Sequence, residues 1–193
     1  RYHLYVSHAC PWAHRTLITR TLLGLEDHIS VDVVDWRMNQ NGSWSFNAEE
    51  EGATADTVNG ESSLEGIYNL AFSGWNDSSR IGTVPVLWDR QHSTIVNNES
   101  HEIVRMFDEF SKAGFGNGTS LSPTELREEI DAMIDANYES VNNGVYKSGF
   151  ARTQSAYDEA VTALFARLDE LELHLNGREW LVGEGGGQLT EAD

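Results

Sequence analysis

The spacing of apolar residues changes character along the chain. In the first 110 positions, short β-branched and aromatic runs read as strands: RYHLYVS (1–7), ISVDVVDW (29–36), and the pair TVPVLWD (83–89) and TIVNN (94–98) around the turn-prone DRQHS. Two stretches between and after them carry helical spacing instead. PWAHRTLITRTLLGL (11–25) places Leu17, Ile18, Leu22 and Leu25 on one side. SHEIVRMFDEF (100–110) does the same with Ile103, Val104, Phe107 and Phe110. Residues 39–79 are polar and rich in Gly, Asn, Ser and Glu. So long a segment within a compact domain reads as an insertion that covers something functional.

The order β-α-β, insertion, β-β-α is that of a thioredoxin-like α/β domain, assigned to residues 1–110. A Gly/Ser-rich stretch, SKAGFGNGTSLSPT (111–124), reads as a linker. Beyond it the periodicity is helical throughout, as expected for the start of an all-α domain over 125–193. Ile130, Met133, Ile134 and Tyr138 form one stripe. Val161, Leu164, Phe165, Leu168, Leu171 and Leu175 form another, on a helix of about five turns. NNGVYKSGF (142–150) interrupts the pattern between them. The closing LTEAD reads as a helix N-terminus, with Thr190 as cap and Asp193 in the first turn. With no initiator Met and a final helix only begun, the chain reads as part of a longer, truncated two-domain protein.

Charge narrows the partners. Thirty-one acidic residues face thirteen basic ones, a formal net charge of -18, and only Lys112 and Lys147 are lysines. Such a field repels nucleic acid and anionic membrane surfaces. With 39% hydrophobic residues the chain has the material for a packed core, which argues against disorder. An acid-rich, lysine-poor surface suits concentrated salt, where self-repulsion is screened. The expected setting is the cytoplasm of a salt-loving microbe.

The only cysteine is Cys10, placed before Pro11 where the first helix begins. Helix N-terminal N–H groups and the dipole favour the thiolate, the reactive form, and His14 and Arg15 add positive potential. A buried structural thiol is the competing reading. Position 13 is Ala13, so no dithiol pair exists and an external small thiol must resolve any mixed disulfide. His8, Cys10 and His14 lack a carboxylate or second thiol to complete a metal site, and none is expected.

SHACPWAHR, TVPVLWD, IVNNES, NNGVYKSGF and LTEAD, in order along the chain, together resemble the glutathionyl-hydroquinone reductases, the Xi class of glutathione transferases. The resemblance implies that Cys10 is the nucleophile and that Trp44 packs on the bound thiol peptide. Trp36 competes with Trp44 for that role. The resemblance also implies that Val84, before a cis Pro85, offers its backbone to the cysteinyl part, and that Glu99 and Ser100 hold the γ-glutamyl end. Tyr146 would hydrogen-bond the hydroquinone oxygen. Trp12 and Arg15 match the family with a lesser role, in packing and in the thiolate field. The implied cosubstrate is glutathione or, for a haloarchaeal member, γ-glutamylcysteine. The implied substrates are quinone and hydroquinone conjugates, and the implied assembly is a homodimer. An Omega-like thioltransferase or dehydroascorbate reductase, and a non-catalytic thiol-peptide-binding module, are the alternatives.

Overall fold

In the computed structural model, which describes residues 1–40, 42–75 and 81–193, the chain forms two compact units, Arg1–Thr119 and Ser120–Asp193. The first contains β1 (Tyr2–Val6), α1 (Pro11–Leu22), β2 (Ile29–Val33), α2 (Leu64–Ala71), β3 (Val86–Asp89), β4 (Thr94–Asn97) and α3 (Ser100–Phe110). The sheet order is β2-β1-β3-β4. β1 runs parallel to β2 and antiparallel to β3, and β3 and β4 form an antiparallel hairpin. This is the thioredoxin-like arrangement expected from the element order, with one addition.

The addition is α2, inside the stretch read as an insertion. Leu64, Ile67 and Tyr68 are buried, and the Ser63 side chain accepts from Gly66 N at 3.4 Å at the helix start. The i, i+3, i+4 spacing of those three residues marks the helix, but the surrounding polar composition masks it. The rest of the segment is pinned by buried carboxylates. Asp56 accepts from the Tyr5 hydroxyl (2.9 Å) and from the backbone N–H groups of Val58 (3.0 Å), Asn59 (3.2 Å) and Glu61 (2.9 Å). Burial first, and then the Asp56 carboxylate, push the Tyr5 phenol far above its ordinary pKa. Asp32 accepts from Thr57 N (2.6 Å) and Thr57 Oγ1 (2.9 Å), and its Oδ2 lies 3.1 Å from His3 Nε2. Positions 76–79 of the expected insertion, like Asn41, lie outside the described residues.

Helix α1 lies along α3, and it buries a different face from the one its apolar residues mark. Ala13, Thr16 and Thr19 are buried, whereas Ile18 and Leu22 are 46% and 39% exposed; Leu25 alone of the expected set is fully enclosed. The threonines can be buried because their hydroxyls are satisfied within the helix, Thr16 Oγ1 on Ala13 O (2.7 Å) and Thr19 Oγ1 on Arg15 O (2.8 Å). On α3 the expected face holds for Ile103, Val104 and Phe107, which are buried, while Phe110 is half-buried and stacks on Tyr2.

Residues 111–119, expected as the first part of a linker, fold back on the first unit. A π-helical turn (Ser111–Phe115) extends α3. Asn117 then caps the end of α1, its backbone N–H on Leu23 O and its side chain on Leu22 O, each at 2.9 Å. Gly116 is required there, since a Cβ would meet Leu23 O. A composition-based reading sees glycine and serine but not these backbone partners.

The second unit contains α4 (Arg127–Asn137), α5 (Gly144–Gly149) and α6 (Gln154–His174). Ile130 is fully buried, and Gly144 brings α5 against Leu164 of α6. The expected stripe on α6 is only partly covered. Leu164 is buried, but Phe165 is 59% exposed and Leu168 37%. At the chain end, Thr190 N donates to Asp193 Oδ2 (2.8 Å) and Ala192 N donates to Thr190 Oγ1 (3.3 Å), a turn rather than a completed helix.

Candidate functional site

Strand β1 delivers the chain to the thiol. After Val6 it turns so that Cys10 N donates to Ser7 O at 3.1 Å. Cys10 is extended (φ -106, ψ 112) and is the N-cap residue of α1, with Pro11 in the first turn. Its carbonyl accepts the first helical bond, from His14 N at 3.0 Å. The sulfur makes no capping bond. It lies 3.7 Å from the carbonyl oxygen of Val84 and is half-buried.

Val84 and Pro85 are joined by a cis bond and are both buried. Their position is fixed from two sides. The Tyr68 hydroxyl of α2 donates to Thr83 O (2.9 Å), and the Asn98 side-chain amide donates to the Tyr68 oxygen (3.0 Å). The helix that the sequence reading missed is therefore what holds the segment facing the sulfur.

A second cluster joins α1 to the start of α3. Glu99 is the N-cap residue of α3, and its side chain accepts from His101 N at 3.5 Å. Ser100 is buried, and its hydroxyl oxygen accepts from Arg15 Nε (2.9 Å) and Nη2 (2.7 Å). Arg15 Nη2 also stands 3.8 Å from Glu99 Oε1, and the guanidinium lies 4.8 Å from the centre of the Trp12 ring. Arg15, given a lesser role on sequence alone, is the residue that links these groups.

Trp44 is half-buried. It bridges to Met38, and its carbonyl accepts from Leu64 N (2.9 Å) where α2 begins. Trp36 points elsewhere: it is 53% exposed, donates Nε1 to Glu50 (3.1 Å) and is stacked by Arg37. The same polar segment reaches the thiol turn at Gly52, where a Cβ would stand 3.7 Å from His8 Cδ2. In the second unit, Tyr146 is a half-buried residue of α5 whose ring stacks on Phe150 with centroids 6.1 Å apart. No described helix is long and apolar enough to cross a membrane.

The β2-β1-β3-β4 sheet, with a cis proline just ahead of β3 and the one cysteine at the head of α1, defines a thioredoxin-like protein. The profile of the glutathione S-transferase N-terminal domain matches residues 9–109. The whole chain is 48% identical to the glutathionyl-hydroquinone reductase PcpF of Sphingobium chlorophenolicum, covering 59% of that protein. It superposes on the Xi-class transferase of Natrialba magadii with a TM-score of 0.90 at 50% identity, over all of this chain and 58% of the other. Against the glutathione-bound structure of YqjG, a glutathione transferase homolog of Escherichia coli K-12, the TM-score is 0.91 at 49% identity, over all of this chain and 60% of the other. The chain thus spans about three fifths of the length of these relatives. It belongs to the glutathione S-transferase family, in the branch of the Xi-class transferases and glutathionyl-hydroquinone reductases.

Proposed function

We propose that this protein is a glutathionyl-hydroquinone reductase that uses Cys10 to remove glutathione, or γ-glutamylcysteine, from thiol-conjugated hydroquinones. The observation that carries this reading is the placement of the chain's one thiol, at the N-cap of α1 and facing Val84 O, with no second cysteine to resolve an intermediate. The Cys10 thiolate attacks the sulfur of the conjugate. An S–S bond forms, the aryl C–S bond breaks, and the aryl carbon takes a proton as the hydroquinone leaves. A second thiol molecule then attacks the mixed disulfide, releasing the oxidised thiol dimer and regenerating Cys10. One protein thiol requires this ping-pong order.

Trp44 packs on the thiol peptide, the Val84–Pro85 backbone receives its cysteinyl part, and Glu99 with Ser100 receives its γ-glutamyl end. Tyr146 serves as the hydrogen-bond donor to the hydroquinone oxygen. The relative named a glutathionyl-hydroquinone reductase and the glutathione held by the E. coli homolog support this substrate class. A cytoplasmic homodimer is the proposed working form.

The test is mass spectrometry of the protein mixed with a glutathionyl-hydroquinone. An adduct of one glutathione on Cys10, formed with release of free hydroquinone and cleared by added thiol, is the expected result. Turnover of dehydroascorbate or a simple disulfide without hydroquinone release points to an Omega-like thioltransferase. No adduct at all points to a binding module.

A further inference from the structure

The Val84 carbonyl has an uncommon partner. Val84 is 6% exposed and lies ahead of β3, and no backbone N–H among the described residues bonds its oxygen. The donor it receives is the Cys10 thiol, at 3.7 Å. A buried main-chain oxygen ordinarily takes an N–H, and an S–H is a weak donor. The contact also fixes where the thiol proton is. A carbonyl oxygen only accepts, so the sulfur must carry the hydrogen, and an anion there would face the oxygen's partial negative charge. Cys10 is the N-cap residue of α1, yet its sulfur makes no bond to the helix N–H groups that favour a thiolate. In this arrangement the nucleophile is held in its unreactive form.

The main-chain N–H of a peptide's cysteinyl residue is a stronger donor than a thiol, and the proposed function puts that residue at Val84. We propose that the Val84 carbonyl is a substrate-operated latch on the Cys10 proton. The peptide N–H takes the oxygen, the S–H loses its acceptor, and the proton passes to water as the sulfur turns to the head of α1. No electrons are exchanged in this step. It converts thiol to thiolate, and the S–S bond to the conjugate forms afterwards. The latch suits a chain with one cysteine. A thiolate without a resolving partner is open to oxidation, and the latch exposes it only while a thiol peptide is in place.

This inference rests on the proposed binding of a γ-glutamyl thiol, and its test keeps the two apart. The ionisable groups around the thiol are His8 in its turn, His14 and Arg15 on α1, Glu99 at the start of α3, and Glu51 beside Gly52; Thr83–Pro85 brings none. Two ligands of equal charge separate the influence of these groups from the latch. One is S-methylglutathione, which has no free thiol; the other is its ester analogue, with oxygen in place of the cysteinyl N–H. Calorimetry establishes saturation, and ultraviolet thiolate absorbance against pH, blanked with Cys10→Ala, reads the sulfur alone. S-Methylglutathione should raise the thiolate-to-thiol ratio at fixed pH by at least about threefold. Its net negative charge and the water it displaces both act against a thiolate, so neither can produce the rise. The ester should leave the ratio unchanged. Where the ester binds too weakly to saturate, Cys10→Ala takes its place: S-methylglutathione affinity should rise with pH in the wild type and stay flat in the variant. Equal rises with both ligands, no rise with S-methylglutathione, or the same pH dependence in wild type and variant would overturn the latch while the γ-glutamyl reading stands. Failure to bind S-methylglutathione removes both.

Discussion

The Cys10 sulfur stands 3.7 Å from the carbonyl oxygen of Val84, across from the cis bond to Pro85. The thiol is thus set against the backbone of a segment remote in sequence, which reaches it only because β1 and β3 pair side by side. Replacing Cys10 with alanine removes the nucleophile and leaves that wall intact. Cys10→Ala should reduce hydroquinone release to background while glutathione affinity stays within a few-fold. Parallel turnover assays and calorimetry would check it, and retained turnover would contradict the covalent mechanism.

Trp44 and Trp36 lie in one stretch but in different settings, the first at the start of α2 and the second tied to Glu50 and Arg37. Trp44→Ala should weaken glutathione binding by about tenfold, roughly 1.4 kcal/mol, as expected for loss of an aromatic platform. Trp36→Ala should change it by less than about twofold, within the range of an exposed substitution. Fluorescence titration of both variants distinguishes them.

Burial alone would raise the Asp32 carboxyl pKa, but His3 and the Thr57 hydrogen bonds outweigh it and hold the group below its ordinary value. A depressed carboxyl stabilises the fold above the unfolded-state pKa and loses that contribution as pH falls through the folded value. Melting temperature should therefore drop below about pH 4, the ordinary aspartate range. Asp32→Asn should cost about 1–3 kcal/mol at neutral pH by breaking the Thr57 contacts, and should flatten the acid limb. Thermal melts between pH 2 and pH 7 would measure both, those pH limits being roughly the range that spans the transition.

The net charge of -18 has little lysine to offset it. If this surface is tuned to high salt, cooperativity of unfolding should decline below about 0.5 M salt, where like charges are less screened. A melt insensitive to salt from low to molar concentration would contradict that.

The proposed contacts address the γ-glutamyl and cysteinyl parts of the thiol but not a glycyl end. Glutathione and γ-glutamylcysteine should therefore resolve the Cys10 mixed disulfide with rates within about tenfold, or 1.4 kcal/mol in barrier. Ser100→Ala, which frees the Arg15 fork, should weaken both alike by about 1–3 kcal/mol. Stopped-flow measurement of the resolving step with each thiol would read it.

Strands β1 and β3 and helix α3 could be read from the sequence because most of their apolar residues are also their buried ones. Ile103, Val104 and Phe107 show this directly. α1 could not be read this way, since its buried line is Ala13, Thr16 and Thr19, two of which count as polar until their hydroxyls find helix carbonyls. α2 was obscured by its polar neighbours, whose partners are the buried carboxylates of Asp32 in β2 and of Asp56. Within the candidate site, Cys10 and the Val84–Pro85 bond were visible as a motif. The Arg15–Ser100 bond joins residues 85 positions apart, and no local pattern encodes it.

Tyr68 gives α2 a kinetic role. Its hydroxyl links the Thr83 carbonyl to the Asn98 amide, so fraying of this two-turn helix would release the Val84–Pro85 segment facing the sulfur. The lifetime of the Cys10–Val84 contact is then governed by local opening of a helix that does not itself carry the thiol. Amide protons of α2 should exchange in step with those around Val84, as one cooperative unit, and α1 should remain protected after both have opened.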